Sequence, residues 1–195
     1  NVGVQYGLQA FNSGTISADQ FLALNEKIGG YDIDGNPVSQ RMVADEGALR
    51  AAYSTGRMNS GAGGLGSIPI IDVRPYGDLL PDIHDQFRSF VMRARLQRAN
   101  GTSQNQVMIT YPVVSKPGTD PINTFAGFMT MAVPLMDQWL DAIGQDRSKR
   151  PISTKIAAAR PRNLTDACYT DAGEKLSETR SYDGTGRCNQ LYPPH

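Results

Sequence analysis

Residues 68–96 run IPIIDVRPYGDLLPDIHDQFRSFVMRARL, an apolar run, a broken loop and an amphipathic segment in succession. Ile68 to Val73 predicts a short strand of the buried, parallel kind, apolar on both faces. Arg74 to Pro81 carries Pro75, Gly77 and Pro81, which predicts a loop. From about Asp82 to Ala99 the residues Ile83, Phe87, Phe90, Val91 and Ala94 recur at helical spacing. Asp82 is the expected N-cap, and Asn100 with Gly101 suits the C-terminal stop. Asn105 to Val114 (NQVMITYPVV) then predicts a second strand. Strand, loop, helix and strand in that order form a βαβ unit and place the chain in the α/β class.

The same stretch holds His84, the only histidine besides the terminal His195. It lies between Asp82 and Asp85, downstream of Asp72 and Asp78. An imidazole titrates near neutral pH, a carboxylate on one ring nitrogen fixes its tautomer, and the other nitrogen can take a nucleophile's proton. Asp72 is expected at the carboxyl end of the first strand, the edge where α/β proteins place their sites. A second account of the same residues stays open: His84 in the first turn of a surface helix, with acidic neighbours stabilising that helix end.

Upstream, Thr15 to Lys27 predicts a helix with a capping-box spacing at Ser17 and Gln20, stopped by Gly29 and Gly30. Asp32, Asp34 and Asn36 beside Gly35 match the start of a calcium loop, but the twelfth position is Val43 rather than Glu, so the segment is read as a turn. Asp45 to Thr55 predicts a second helix. In SGAGGLGS, Gly61, Gly63 and Gly66 fit GxGxxG formally. That motif holds a pyrophosphate only after a strand and before a helix. Here the order is reversed, so a flexible loop is expected and no cofactor.

Downstream, Asn123 to Ile143 predicts a helix with Pro134 as a kink or break, whose methionines Met129, Met131 and Met136 read as core. A short helix near Lys155 to Ala159 follows. Cys168 and Cys188, the only cysteines, lie in a polar segment. A disulfide between them is the economical expectation. Closing about 20 residues stabilises by about 3 kcal/mol in the chain-entropy model and implies an oxidising compartment, secreted or periplasmic. Free thiols remain the alternative, and metal binding lacks a CxxC pair or histidine cluster. The expected organisation is a helical segment with loops over 1–66, a sheet portion over 67–145 and a polar extension over 146–195.

The 195 residues are 39% hydrophobic, with 19 basic and 19 acidic side chains. A balanced charge gives no field for nucleic acid or anionic membrane. No apolar run approaches the roughly 20 residues that cross a bilayer. The first residue is Asn1, and NVGVQYGLQAF lacks the charged-then-apolar pattern of a signal segment, so a piece of a longer precursor is expected.

The blocks NVGVQYGLQAF, FLALNEKIGG, IPIIDVRPY, DIHDQFRSFVMRARL, ACYTDAGEKL and GRCNQLYPP resemble the carboxy-terminal part of a large secreted bacterial α/β-hydrolase family. In outline it is similar to tannase-type esterases and 3-hydroxybutyrate-oligomer hydrolases. The resemblance implies the last part of an α/β-hydrolase sheet with flanking helices, in a serine hydrolase of carboxylesterase or polyester-oligomer type, acting on a small ester or oligoester. The nucleophile would lie upstream, since the chain has no GxSxG. Such sheets deliver the acid and then the histidine from their last strands, yet the loop after the second strand, VSKPGTDP, contains no histidine. The role of base therefore falls to His84, with Asp72, or else Asp85 or Asp78, as its orienting acid; His195 is a weaker alternative. A non-catalytic accessory or binding domain is the competing expectation, and a nucleotide-binding domain resting on GAGGLG a third.

Overall fold

The computed structural model describes residues 1–79, 83–113 and 125–194. The chain forms two compact units, Asn1–Arg57 and Met58–His195.

The first unit contains helices α1 (Leu8–Asn12), α2 (Ala18–Lys27) and α3 (Glu46–Ser54) and a hairpin of β1 (Gly30–Tyr31) and β2 (Pro37–Val38). The capping box forms as spaced: Ser17 Oγ accepts from Gln20 N at 3.2 Å, and Gln20 Oε1 accepts from Ser17 N at 2.8 Å. Asp45 Oδ1 caps α3 through Ala48 N at 2.7 Å. The Asp32 carboxylate accepts from the backbone of Asp34 and Asn36. Those bonds close an Asx-type turn between β1 and β2.

The second unit is built on a four-stranded mixed sheet of order β3 (Ile70–Tyr76), β4 (Gln106–Pro112), β5 (Ala167–Tyr169) and β6 (Lys175–Ser177). The first three strands are parallel and β6 is antiparallel to β5. Helix α4 (Phe87–Asn100) joins β3 to β4, and α5 (Phe125–Gln145) and α6 (Ile152–Ala159) lie between β4 and β5 in the chain. A mixed sheet with helices on its faces is the α/β layering that the patterns predict. Strands β5 and β6 and the short α7 (Arg187–Leu191) come from the polar segment, where no periodicity announced them.

Every residue of β4 is buried, and the period of two splits it into two faces. Val107, Ile109 and Tyr111 pack with Phe128, Leu135 and Trp139 of α5, Ile156 of α6, Leu164 and Tyr169. Each such large apolar side chain contributes about 1.5–3 kcal/mol of burial. Trp139 is fully enclosed, and its indole N–H donates to Ile156 O at 2.8 Å. On the other face Gln106 Oε1 accepts from Arg93 of α4.

Three boundaries differ from the sequence expectations. Strand β3 runs on through Pro75 to Tyr76, because β3 is the outer strand of the described sheet and the missing N–H at Pro75 faces away from β4. Asp72 therefore stands mid-strand and not at the strand's carboxyl end. Helix α4 begins at Phe87, with residues 83–86 a turn ahead of it. Helix α5 continues through Pro134 as one element. The predicted cap Asp82, the loop VSKPGTDP and His195 lie outside the described residues.

The glycine-rich loop has a packing role. A Cβ on Gly61, whose φ is +79°, would stand 2.4 Å from the carbonyl carbon of Arg95, and one on Gly66 2.6 Å from the Asn100 side chain. The loop lies against the last turns of α4 and ends in a 3-10 turn, Leu65–Ser67, just before β3.

Candidate active site

The connection from β3 to α4 gathers most of the predicted residues at the carboxyl end of a parallel strand pair. Gly77 and Asp78 leave β3 directly. Asp78 Oδ1 accepts from Gln86 N at 2.8 Å, so Asp78 supplies the side-chain acceptor for the start of α4, where Gln86 is the N-cap and has no side-chain cap of its own. A carboxylate there also meets the positive end of the helix dipole. The other oxygen, Asp78 Oδ2, is buried and has no hydrogen-bond partner among the described residues.

His84 is exposed, and its carbonyl accepts from Arg74 Nη1 at 3.3 Å. Arg74 Nε in turn donates to Ser89 Oγ at 2.8 Å and lies 3.8 Å from Asp72 Oδ1. Asp72 Oδ2 accepts from Gln106 Nε2 at 3.2 Å. Asp72 thus braces β3 against β4 and Arg74. Asp85 sits in the turn beside His84, 3.8 Å from Arg88 Nε, with Oδ1 accepting from Arg88 N at 3.3 Å. An open groove of about 410 Å³ has Asp85, Phe87, Arg88, Val91 and Met92 among its lining residues.

Behind the connection stands a layer the sequence did not reveal. Gln86 is 1% exposed. Its side chain donates to Tyr192 O at 2.9 Å and accepts from Arg180 Nη2 at 3.0 Å. Tyr76 donates to Pro193 O at 3.0 Å, and its ring meets that of Tyr192 at 5.0 Å. Burial, then the charge of Asp78, pushes the Tyr76 hydroxyl above its ordinary pKa. The Tyr192 hydroxyl, bonded to Tyr169 O at 2.6 Å, is pushed up to about 12 by burial and next by Asp171.

These partners reach the site because Cys168 of β5 and Cys188 of α7 form the expected disulfide, with a Cα–Cα distance of 5.7 Å. A formed disulfide fits an oxidising, extracellular setting, and no helix among the described residues is long and apolar enough to cross a membrane.

A second cavity of about 530 Å³ lies near the start of β4, between Arg93, Asp166 and Arg160. Two of its charges, Arg93 and Asp166, are matched by a two-armed ion pair, and Arg160, Glu178 and Arg180 also line it. Among the described residues no group of three or more His, Cys, Asp and Glu side chains could hold a metal ion.

A profile of the tannase-like family of unknown function, DUF6351, matches residues 1–195. The chain belongs to that family. Membership in DUF6351 points to esterase-type hydrolase chemistry, the class of reaction a tannase-like name denotes. No curated protein and no solved structure matches the chain.

Proposed function

We propose that this DUF6351 chain is the carboxy-terminal part of a secreted α/β-type serine hydrolase that cleaves ester bonds. One observation carries the reading. A histidine and two carboxylates, His84, Asp78 and Asp85, all belong to the one connection that follows the carboxyl end of β3 and leads into α4. That edge of a parallel sheet is where α/β enzymes assemble their chemistry.

In this mechanism a serine from an upstream portion of the same precursor attacks the ester carbonyl while His84 takes the serine proton. His84 then gives that proton to the departing alcohol, and water releases the acyl group by the same two transfers. The sequence leaves the orienting acid open among Asp72, Asp78 and Asp85. Asp72 is engaged by Gln106 and Arg74, and Asp85 by Arg88. Asp78 commits one oxygen to Gln86 N and keeps the other unpaired, so we take it as the acid that would turn toward His84 once the upstream portion completes the site.

Fluorophosphonate labelling of the native preparation, followed by intact mass of every polypeptide present, tests the nucleophile. A labelled upstream polypeptide is expected. His84→Ala should then lower kcat by several orders of magnitude without unfolding the protein, as loss of a triad member does. Absence of any labelled species, or a loss of only a few-fold in the His84 variant, would return the chain to the class of binding domains.

A further inference from the structure

Arg180 is 1% exposed, yet its guanidinium makes one side-chain hydrogen bond, to Gln86 Oε1. Its Nε and Nη1 are buried and have no hydrogen-bond partner among the described residues. Its backbone is fixed at the level of Arg93, because Arg180 N donates to Asp166 Oδ2 and Arg180 O accepts from Arg93 Nη1. From there the side chain passes Phe90, whose ring centre lies 5.7 Å from Cζ, to reach Gln86 at the start of α4. Gln86 N holds Asp78 Oδ1, and Asp78 Oδ2 is the other buried oxygen lacking a partner. Two buried donors and one buried acceptor of opposite charge thus flank the same glutamine.

A buried arginine with a single bond is a poor way to stabilise a fold. Desolvation of the ion outweighs what one hydrogen bond returns, and an apolar side chain of like volume usually serves stability as well or better. Burial accordingly drives the Arg180 pKa down, with Glu178, Asp166 and Asp78 opposing that fall and Arg93 adding to it. What Arg180 does supply is a fixed positive charge behind the carboxylate that enters the β3–α4 connection.

We propose that Arg180 is a positioning residue for the active site, acting through Gln86 on Asp78 and so on the orientation of His84. This rests on the serine-hydrolase reading above. The role also explains why the carboxy-terminal segment is tied to α4 through Gln86, which bonds Tyr192 and Arg180, and to β3 through Tyr76, which bonds Pro193: that segment delivers the charge.

The test is hydrolysis of 4-nitrophenyl butyrate by the natively expressed precursor carrying Arg180→Met, Arg180→Lys, Asp78→Asn and the Arg180→Met/Asp78→Asn pair, with Tm measured for each. Arg180→Met is expected to lower kcat by about 10- to 100-fold, inside the roughly 2- to 150-fold span of coupling within one hydrogen-bond network, with KM within about twofold and Tm not lowered. Arg180→Lys should recover part of the loss. In the Asp78→Asn background Arg180→Met should cost less than about twofold, since the residue through which it acts is already gone.

Undiminished kcat in Arg180→Met overturns the proposal. So does a full multiplicative loss in the pair, or a kcat loss that follows a fall in Tm and is not recovered by lysine. If Arg180→Met does not fold, Arg180→Gln replaces it, with the same expected non-additivity. His84→Ala separates the two levels. If it leaves hydrolysis within a few-fold, the catalytic reading falls and the role of Arg180 with it; if it abolishes hydrolysis while Arg180→Met does not, only the role of Arg180 falls.

Discussion

Replacing Asp166 should do more damage than any other single polar change in the second unit. Its two oxygens receive four donors: Oδ1 takes Met108 N at 2.9 Å and Arg93 Nη2 at 2.9 Å, and Oδ2 takes Arg180 N at 3.0 Å and Arg93 Nη1. Side-chain exposure is 18% for Arg93 and 11% for Asp166, so solvent screens the pair little. Asp166→Ala leaves Arg93 without its carboxylate, which by itself costs about 3–5 kcal/mol. It also leaves the N–H groups of Met108 and Arg180 unpaired, at about 1–3 kcal/mol each where buried. Arg93 retains Gln106 O, Gln106 Oε1 and Arg180 O as acceptors, and penalties within one network overlap. We therefore expect a loss of about 4–6 kcal/mol rather than the full sum. Set against a total of about 5–15 kcal/mol for a typical domain, that leaves the variant marginal. Asp166→Asn keeps one acceptor oxygen and should lose about half as much. The assay is urea unfolding followed by circular dichroism, with the slope compared between variants. An Asp166→Ala loss below about 1 kcal/mol at unchanged slope would refute the reasoning, because no other carboxylate is bonded to Arg93 among the described residues.

Further expectations follow from other parts of the fold. Trp139→Ala should cost about 3–5 kcal/mol, measured by thermal or urea unfolding, since it empties a fully enclosed site and removes the bond to Ile156 O. Gly61→Ala should destabilise by more than about 1 kcal/mol, because the new Cβ meets the Arg95 backbone and the residue is held at positive φ; unchanged Tm would contradict it. Reducing Cys168–Cys188, or replacing both cysteines with alanine, should cost about 3 kcal/mol for a loop of 20 residues, read as the urea midpoint with and without reductant. The folded pKa of Tyr192 lies above its unfolded value, so the stability it contributes is whole below about pH 10 and is lost as pH rises toward about 12. Tyr76, Tyr111 and Tyr169 are shifted the same way by burial. Alkaline unfolding should therefore coincide with ionisation of these four tyrosines. Phenolate absorbance of all eight tyrosines complete well before unfolding would contradict it.

The parts of the fold legible in the sequence are those that local periodicity specifies. The βαβ unit around α4, the capping box at Ser17 and Gln20, and the cysteine pair all take the form their spacing implies. Strand β3 was foreshortened because Pro75 reads as a breaker, and only its place at the edge of the described sheet makes that proline harmless. Asp72 followed the same error, since a strand ending at Val73 would have put it on the rim. That His84, Asp78 and Asp85 share the connection between β3 and α4 could be read from their adjacency. Arg180, Gln86 and Asp166 could not, because nothing near Arg180 or Asp166 marks a buried ion in a polar segment, and Arg93 lies 73 residues from the carboxylate that holds it. The proline-bearing α5 shows the converse: the buried face of this twenty-one-residue helix, Phe128, Leu135 and Trp139 packed on β4, outweighs one missing hydrogen bond.

The two borders of the described sheet are unlike in their tolerance of company. Strand β6 has three residues, KLS, with Lys175 and Ser177 exposed, a short charged margin of the kind that discourages another chain from adding on. Strand β3 is seven residues long and rich in β-branched side chains. Ile70 N bonds across to Asn105 O, so by alternation Ile71 and Val73 direct their backbone N–H and C=O groups the other way. Extension of this sheet by a further strand is thus favoured at one border and resisted at the other, which gives any assembly built on it a direction.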